Sequence, residues 1–478
     1  MPKPSLLQLL DELEARAAPL AASSESRSEQ LAAAGSYVEE FFAGMPGRRV
    51  YSGDDAREAA LEAMRLDGQP AEFAEALDIV RQHVDNSGHN LASPAFFGYV
   101  PSGGLYESAI ADYLAAVSNR YVGVSYASPG AGRMEETVVR WLADTVGYPK
   151  GAEGDLTSGG SIAALSAVVV AREEHGVRTD NISRHVVYCT SQIHHTFRKA
   201  LFIAGVGDCV VRDVAMDDGL RMSVEDLAKK IAEDSANGLK PWIIAASAGS
   251  TDVGAVDPLE ALADIAAESG CWFHVDAAYG GAFMLCEEGR DRLRGIERSD
   301  SLILDPHKGF FLPAGIGAVL VRNGEAMYKA YRARGVYMQD MDGHTDRSPC
   351  DLSPELTRPF RALRFWLPMK VYGVAPFAAA LQEKLLLADY CYDKLGEVEG
   401  LELGPKPDLS VVSFRLPGGR DPNLRLLDAI TEDGRMFINS TTIDEKYTLR
   451  LAILGYHTHR RHVDLAIEVI REMMAKTK

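Results

Sequence analysis

Two side chains that could perform chemistry lie at the ends of predicted strands. Asp276 ends the apolar run 272–276, and Lys308 follows a second apolar run at 301–305. In an open parallel sheet the carboxyl ends of the strands meet at one edge, where ligands bind. A lysine at that edge is partly desolvated, so its amine can capture an aldehyde. A neighbouring carboxylate can keep a pyridine nitrogen protonated, so that the ring accepts electrons from a breaking bond.

A glycine-rich segment and a histidine supply further candidate contacts. Thr157-Ser-Gly-Gly-Ser161 precedes a predicted helix, and glycines at a helix start let an anion approach free N–H groups. Ser161 acting as a plain N-cap explains the same residues equally well. No Walker A lysine motif and no G-x-G-x-x-G follows a strand, which favours one phosphate monoester over a nucleotide. His194, after the strand at 185–190, could stack on a planar ring, although an ordinary surface histidine is the alternative there and at His195.

These residues require a parallel sheet to position them. Between about 155 and 325, short apolar runs alternate with helical patterns, which predicts βα units around a sheet buried on both faces. The predicted strands are 185–190, 241–247, 272–276, 301–305 and 316–321. The predicted helices are 161–175, 224–235 and 257–269. The sequence therefore predicts an α/β protein whose site lies at one sheet edge.

The remaining chain predicts two flanking parts. Residues 1–85 show helical spacing of apolar residues, beginning with Leu6, Leu7, Leu10 and Leu13. A long apolar helix at 368–395 leads to a smaller α/β part with strands near 411–414 and 448–451 and helices near 423–433 and from about 461. We therefore expect an N-terminal helical segment at 1–85, a large cofactor-binding domain at 86–367 and a small C-terminal α/β domain at 368–478.

Composition narrows the function classes. The 478 residues are 46% apolar and carry a formal net charge of -18. Such a charge repels nucleic acid and anionic membranes, so neither is expected as a partner. No apolar run has the length of a membrane span. Six dispersed cysteines show no zinc-ligand spacing, which predicts no metal site and free thiols in a reducing, cytoplasmic compartment.

The ensemble of motifs resembles a known family. His274-Val-Asp-Ala-Ala-Tyr279 with Asp305-Pro-His-Lys308 is similar to the group II pyridoxal 5'-phosphate (PLP) decarboxylases, the aromatic L-amino acid decarboxylase family of the fold-type I enzymes. The likeness extends from Phe96-Phe97-Gly98-Tyr99 to Leu449-Arg450-Leu451 and the final helix. It implies a large domain with a mostly parallel seven-stranded sheet, a smaller C-terminal α/β domain and a homodimer with shared active sites, in which the helical segment at 1–85 is a dimerisation segment.

The resemblance also assigns roles to residues of this chain. Lys308 would bind PLP as an internal aldimine, Asp276 would contact the pyridine nitrogen, and His194 would stack on the ring. The other implied cofactor contacts are Ala278 on the opposite ring face, Gly160, Ser161 and His307 at the phosphate, and Thr251 beside the cofactor. Asp305 departs from the family, which often has Asn there. A carboxylate beside a phosphate needs a proton or an intervening cation.

Two further segments bear on the reaction and the substrate. Tyr337 lies in a polar segment that matches the family's mobile loop, where a tyrosine returns a proton to Cα; a Phe there would favour aldehyde formation. The residues matching the side-chain pocket are Phe97, Tyr99, Pro101, Ser102, Val122, Val124 and Thr357. Of these, Phe97, Tyr99, Pro101 and Val124 would make an apolar, partly aromatic slot that suits Tyr, Trp, Phe or DOPA. With only Arg120 adjoining it, an acidic substrate is disfavoured.

The sequence leaves other functions open. An aromatic aldehyde synthase, a decarboxylase of acidic or other amino acids, and a desulfurase share the expected fold, although Cys350 is the only cysteine near a suitable loop. A non-enzymatic PLP-binding homologue is disfavoured because every expected catalytic position is filled. A nucleotide-dependent oxidoreductase is disfavoured by the missing dinucleotide motif.

Overall fold

A computed structural model describes residues 5–53, 55–64, 66, 69–100, 103–332 and 347–477. The chain divides into two compact units, residues 1–93 and 94–478. The domain boundaries expected at 85/86 and 367/368 stay a prediction. No helix in these described ranges combines the length and apolar character of a membrane span.

The first unit is mainly helical, in keeping with its apolar spacing. Its helices are Leu6–Ala17, Ser24–Gly44, Asp55–Glu62 and Phe73–Ile79, the last continuing as a π-helix over Val80–Val84. Two short strands, Tyr51–Ser52 and Gly88–His89, pair antiparallel. Ser5 begins the first helix with a capping box that includes Gln8, which satisfies two backbone N–H groups at the helix start.

The second unit contains the predicted sheet. Its seven strands are β1 (Glu153–Thr157), β2 (His185–Cys189), β3 (Val210–Asp213), β4 (Lys240–Ser247), β5 (Trp272–Asp276), β6 (Ser301–Leu304) and β7 (Gly317–Val321). They lie in the order β1-β7-β6-β5-β4-β2-β3, and β7 runs antiparallel to the other six strands. The prediction of a mostly parallel seven-stranded sheet is confirmed. The sequence pattern did not predict β1 and β3.

Helices cover the sheet and bury its apolar strands. The helices of this part are Tyr106–Ser118, Pro129–Thr145, Gly160–Glu174, His195–Ile203, Val224–Ala236, Leu259–Ser269, Glu287–Arg292, Pro306–Gly309 and Gly324–Tyr331. The central strands β2, β6 and β7 are buried along their whole length. Burial on both faces explains their continuous apolar sequences. The helices predicted at 161–175, 224–235 and 257–269 are confirmed to within a few residues.

A second sheet lies in the C-terminal part. Its strands are β8 (Glu402–Leu403), β9 (Val411–Arg415), β10 (Asn439–Ile443) and β11 (Lys446–Ala452), all antiparallel in the order β8-β9-β11-β10. The accompanying helices are Ala362–Tyr372, Ala375–Gly396, Arg420–Asp433 and Arg460–Thr477. The single helix predicted at 368–395 was wrong. Gly373, with a φ of +70°, ends the first of two helices there.

Candidate cofactor site

Five strand ends surround one cavity of about 360 Å³. The segments that follow β1, β2, β4 and β6 line it, together with Asp276 at the end of β5. This is the edge of the sheet at which an open α/β fold binds ligands. All eight residues expected to contact the cofactor line this cavity: Gly160, Ser161, His194, Thr251, Asp276, Ala278, His307 and Lys308.

Lys308 occupies the short helix Pro306–Gly309 directly after β6. Its Nζ lies 3.1 Å from Asp305 Oδ2, and its side chain is 23% exposed. Asp305 is buried. The lysine is therefore held inside the cavity by a carboxylate one turn before it, while a part of its side chain stays accessible to a ligand.

Asp276 ends β5 with its carboxylate at the cavity. Its Oδ1 accepts a hydrogen bond of 3.1 Å from the backbone N–H of Ala278, which fixes the side chain at the strand end. Asp276 is half-buried and pairs in register with Ser247 on β4. A carboxylate held in this way can face a protonated ring nitrogen.

His194 lies at the start of the helix His195–Ile203. Its Nδ1 is 2.6 Å from Thr196 Oγ1, a contact that orients the ring. Burial lowers the pKa of His194, and nearby His195 and Lys308 lower it further, while Asp276 acts in the opposite direction. The imidazole is therefore uncharged at neutral pH and offers a flat face for stacking. Sequence analysis did not identify Thr196 as a functional residue.

Gly160 and Ser161 begin the helix Gly160–Glu174 at one end of the cavity. A Cβ on Gly160 would lie 2.9 Å from Asp305 Oδ2, so the position accommodates only glycine without a shift. His307 also lines the cavity, and its Nδ1 faces the carbonyl oxygen of Ile316 and must donate to it. Free helix N–H groups at a glycine make a suitable place for a phosphate.

Arg450 connects the cavity-lining segment Gly249–Thr251, named here the cofactor loop, to the segment that carries Tyr99, an expected substrate residue. The buried guanidinium donates to the carbonyl oxygens of Thr251 (2.7 Å), Asp252 (3.1 Å) and Tyr99 (3.0 Å). It also donates to Asn439 Oδ1 at 3.0 Å. Sequence analysis did not assign a role to Arg450. The signal was available, because an arginine inside the apolar run Thr448–Leu451 must find buried acceptors.

The expected substrate residues fall into two groups. Phe97 is fully buried, and Tyr99 is 54% exposed with a φ of 52°. Val122 and Val124 are buried, and Thr357 is exposed. Among the described residues of one chain, none of these five lines the cavity. Pro101, Ser102 and Tyr337 lie outside the described residues.

Val122, Val124 and Thr357 belong to segments that touch each other. Any side chain at Gly123 would collide with the carbonyl oxygen of Leu356, which shows how closely the two backbones approach. The backbone N–H of Cys350 donates to the carbonyl oxygen of Gly123 at 3.0 Å. Their roles in substrate binding stay a prediction.

The comparisons with known proteins agree with this geometry. Residues 62–417 match the family model described as the pyridoxal-dependent decarboxylase conserved domain. An aromatic-L-amino-acid decarboxylase of Bacillus atrophaeus is 35% identical, covering 80% of this chain and 82% of that protein. A phenylacetaldehyde synthase of Arabidopsis thaliana is 29% identical over 84% of this chain and 86% of that protein. A crystal structure of Oryza sativa TDC with PLP and tryptamine superimposes with a TM-score of 0.89 at 25% identity, covering 95% and 99% of the two chains.

The fold and the matched family model define a class of PLP-dependent enzymes, and this chain has a cavity at the carboxyl edge of its main sheet. The chain belongs to the pyridoxal-dependent decarboxylase family. Its cofactor is PLP, and it is a PLP-dependent amino acid carboxy-lyase. The residues present fit this cofactor, because one cavity combines an accessible lysine, a fixed carboxylate and a helix start at which a Cβ does not fit.

Proposed function

We propose that the protein converts an aromatic L-amino acid to the corresponding amine and carbon dioxide. The observation that carries this proposal is the convergence of Lys308, Asp276 and His194 on one cavity. The names of the similar proteins, with aromatic amino acids or products derived from them, support the aromatic substrate. The apolar character of the predicted side-chain pocket supports it too.

Each residue at the ring end has one task in this proposal. PLP, when bound, supplies a cationic ring that accepts the electrons of the breaking bond between Cα and the carboxylate. Lys308 would hold the cofactor through its amine until the substrate amine replaces it. Asp276 keeps the proton on the ring nitrogen, because its carboxylate is fixed at the strand end. His194, uncharged and oriented by Thr196, stacks on the ring.

The remaining residues position the cofactor and return the proton. Gly160, Ser161 and His307, which line the cavity, would hold the phosphate, Ala278 would pack on the ring face opposite His194, and Thr251 would lie beside the ring. Tyr337 donates a proton to Cα after carbon dioxide has left, a general-acid step. This last role rests on the sequence match of its segment, since Tyr337 lies outside the described residues.

The proposed active form is a homodimer with shared sites. Among the described residues, the cavity of one chain is not lined by Val122, Val124 or Thr357. If these residues bind substrate, they would have to do so in the cavity of a second copy. The first helix also leaves an apolar face uncovered, with Leu6, Leu7 and Leu10 each more than half exposed. Light scattering of the purified protein tests this point: a monomer that decarboxylates at full rate would contradict it.

The proposal includes a cytoplasmic location, which the five buried cysteine thiols support.

A decarboxylation screen tests the proposed substrate class. The PLP-loaded protein is incubated with each standard amino acid and with DOPA, and amine and carbon dioxide are measured. We expect turnover of Trp, Tyr, Phe or DOPA and little turnover of Glu or Asp. Turnover confined to acidic or aliphatic amino acids would contradict the aromatic assignment.

The second candidate function is aldehyde formation, which the phenylacetaldehyde synthase among the similar proteins favours. Tyr337 argues for the amine, because a proton donor at that position completes decarboxylation. We expect wild-type protein to release amine, and Tyr337→Phe to release aldehyde and ammonia with uptake of oxygen. Mass spectrometry and an oxygen electrode distinguish the two products. Amine output that Tyr337→Phe leaves unchanged would show that another acid protonates Cα.

A further inference from the structure

A buried carboxylate with an unusual environment lies at the phosphate end of the cavity. Asp305 exposes 4% of its surface. Its Oδ2 contacts Lys308 Nζ at 3.1 Å, while its Oδ1 is buried with no hydrogen-bond partner among the described residues. A buried carboxylate is costly unless its charge is paired. In the cofactor-free protein Lys308 provides that pairing.

The same carboxylate stands beside the place proposed for the phosphate. A Cβ on Gly160 would lie 2.9 Å from Asp305 Oδ2 and 3.1 Å from Oδ1. Gly160 is the first residue of the helix whose free N–H groups suit an anion. An ionised Asp305 would therefore lie beside the phosphate. Two negative charges at close range repel each other, which disfavours the ionised form of the carboxyl group.

The other titratable groups do not remove this conflict. His307 Nε2 lies 3.8 Å from Asp305 Oδ2, beyond hydrogen-bond range, and Nδ1 of the same ring is committed to Ile316. Two further titratable residues line the cavity, His194 after β2 and Asp276 at the end of β5. The carboxylate of Asp276 adds negative charge to the cavity. The segments nearest the carboxylate, at Gly159–Gly160 and Gly317, carry no charge. Lys308 is the one cationic side chain within hydrogen-bond range of Asp305 in the described residues.

We propose that Asp305 changes partner when PLP is loaded. In the cofactor-free protein it is ionised and paired with Lys308; in the loaded protein it carries a proton and donates it to the phosphate. When the lysine nitrogen bonds to the aldehyde carbon, two of its three ammonium protons leave with the aldehyde oxygen as water. The third stays on the lysine nitrogen, and Asp305 Oδ2, the oxygen that contacted the ammonium, takes up a proton from solvent when the phosphate charge arrives beside it. This inference rests on PLP as the cofactor and on the proposed phosphate contacts, and it is independent of the substrate.

The change of partner gives Asp305 two positioning tasks. It holds the lysine in the cavity before the cofactor arrives, and it then becomes a neutral hydrogen-bond donor where an ionised carboxylate would repel the phosphate. An asparagine at this position could donate in the same way without gaining a proton. Its neutral oxygen could accept from the ammonium of Lys308 but would not neutralise the charge of that ammonium.

Infrared difference spectroscopy tests the proposal without any turnover. Spectra of the PLP-loaded protein minus the cofactor-free protein are recorded for wild type, Asp305→Asn, Asp305→Ser and a control, Asp257→Asn. Asp257 is likewise a buried carboxylate, but its oxygens accept from the backbone N–H groups of Ser247 and Met222. We expect loading to produce the carbonyl stretch of a protonated carboxyl group in wild type and in the control, shifted in heavy water, and to produce none in either Asp305 variant.

Equilibrium PLP binding gives a second readout. We expect the Kd for PLP of Asp305→Asn to equal the wild-type value or to be up to about fivefold lower. A fivefold change in Kd corresponds to the free energy of about one hydrogen bond. Persistence of the carboxyl band in both Asp305 variants would place the proton elsewhere and overturn the proposal. Absence of the band in wild type, with PLP affinity that rises on adding Mg²⁺ or K⁺, would overturn it in favour of a bridging cation. Failure of wild type to bind PLP at all would instead refute the cofactor assignment.

Discussion

The guanidinium of Arg450 donates a hydrogen bond of 3.0 Å to the carbonyl oxygen of Tyr99. Tyr99 has a φ of 52°, a left-handed backbone conformation that a non-glycine residue adopts only when its surroundings hold it. Its N–H donates to Asn439 Oδ1, which also accepts from Arg450. The same guanidinium also donates to the carbonyl oxygen of Thr251, which lines the cavity. Because Arg450 binds both backbone segments, it holds Tyr99 in place relative to the cavity.

Replacing Arg450 by lysine should weaken substrate binding more than the chemical step. An ammonium cannot reproduce four hydrogen bonds in a planar fork, and each one to a charged group contributes about 1.5–3 kcal/mol. We expect KM for the best aromatic substrate to rise roughly tenfold or more, with a smaller change in kcat. Steady-state kinetics with saturating PLP measures both constants.

The control for that variant is a change in the core away from Tyr99. Trp242 is fully buried and donates to the carbonyl oxygen of Ala171, so Trp242→Phe should lower the thermal stability while leaving KM unchanged. Equal rises of KM in both variants would mean that Arg450 acts only by stabilising the fold.

Adding a methyl group at Gly160 should weaken cofactor binding. The new Cβ would lie 2.9 Å from Asp305 Oδ2, so Gly160→Ala must displace the buried carboxylate or the helix start. Such overpacking costs about 1–3 kcal/mol, and a cost of 1–2 kcal/mol would raise the Kd for PLP roughly 5- to 30-fold. Gly130→Ala, with no atom within 4 Å of the new Cβ, serves as the control. An unchanged Kd in Gly160→Ala would contradict the proposed phosphate site.

His274 should make the fold lose stability in mild acid. Burial lowers its pKa to about 4, against an ordinary 6.5, while Asp276 acts in the opposite direction. Below pH 6.5 the unfolded chain therefore binds a proton that the folded chain does not. The folded state should lose about 3 kcal/mol from this histidine as the pH falls from 6.5 to 4.

Urea unfolding at a series of pH values measures that loss. His274→Gln should flatten the dependence between pH 6.5 and 4, whatever its effect at pH 8. His195→Gln, a change at an exposed histidine, should leave the slope as in wild type. A slope that His274→Gln does not alter would show that other groups cause the acid sensitivity.

The sequence predicted the sheet and the cavity residues because strand ends in a parallel sheet converge by geometry. Asp276 and Lys308 could be placed on one edge from the alternation of apolar runs alone. β1 and β3 were missed because their residues, such as Asp155 and Arg212, interrupt the apolar pattern. Their charges are compensated by long-range partners, Arg358 for Asp155 and Asp234 for Arg212, which no local pattern reveals.

The contacts within the site were less predictable than its members. The pairing of Lys308 with Asp305 depends on side-chain directions in one short helix turn. The placement of Tyr99 depends on Arg450 and Asn439, more than three hundred residues further along the chain. The expected substrate pocket stays a prediction, because Val122, Val124 and Thr357 do not line the cavity formed by the part of the chain that the structure describes.

Reduction of the loaded protein with borohydride tests the central claim most directly. Hydride fixes a cofactor aldehyde to the amine that holds it, and peptide mass mapping then locates the label. We predict one pyridoxyl group per chain, on the peptide containing Lys308, and no label there in Lys308→Ala, which should also lose turnover. A labelled residue other than Lys308, or no label on protein that decarboxylates amino acids, would contradict the assignment.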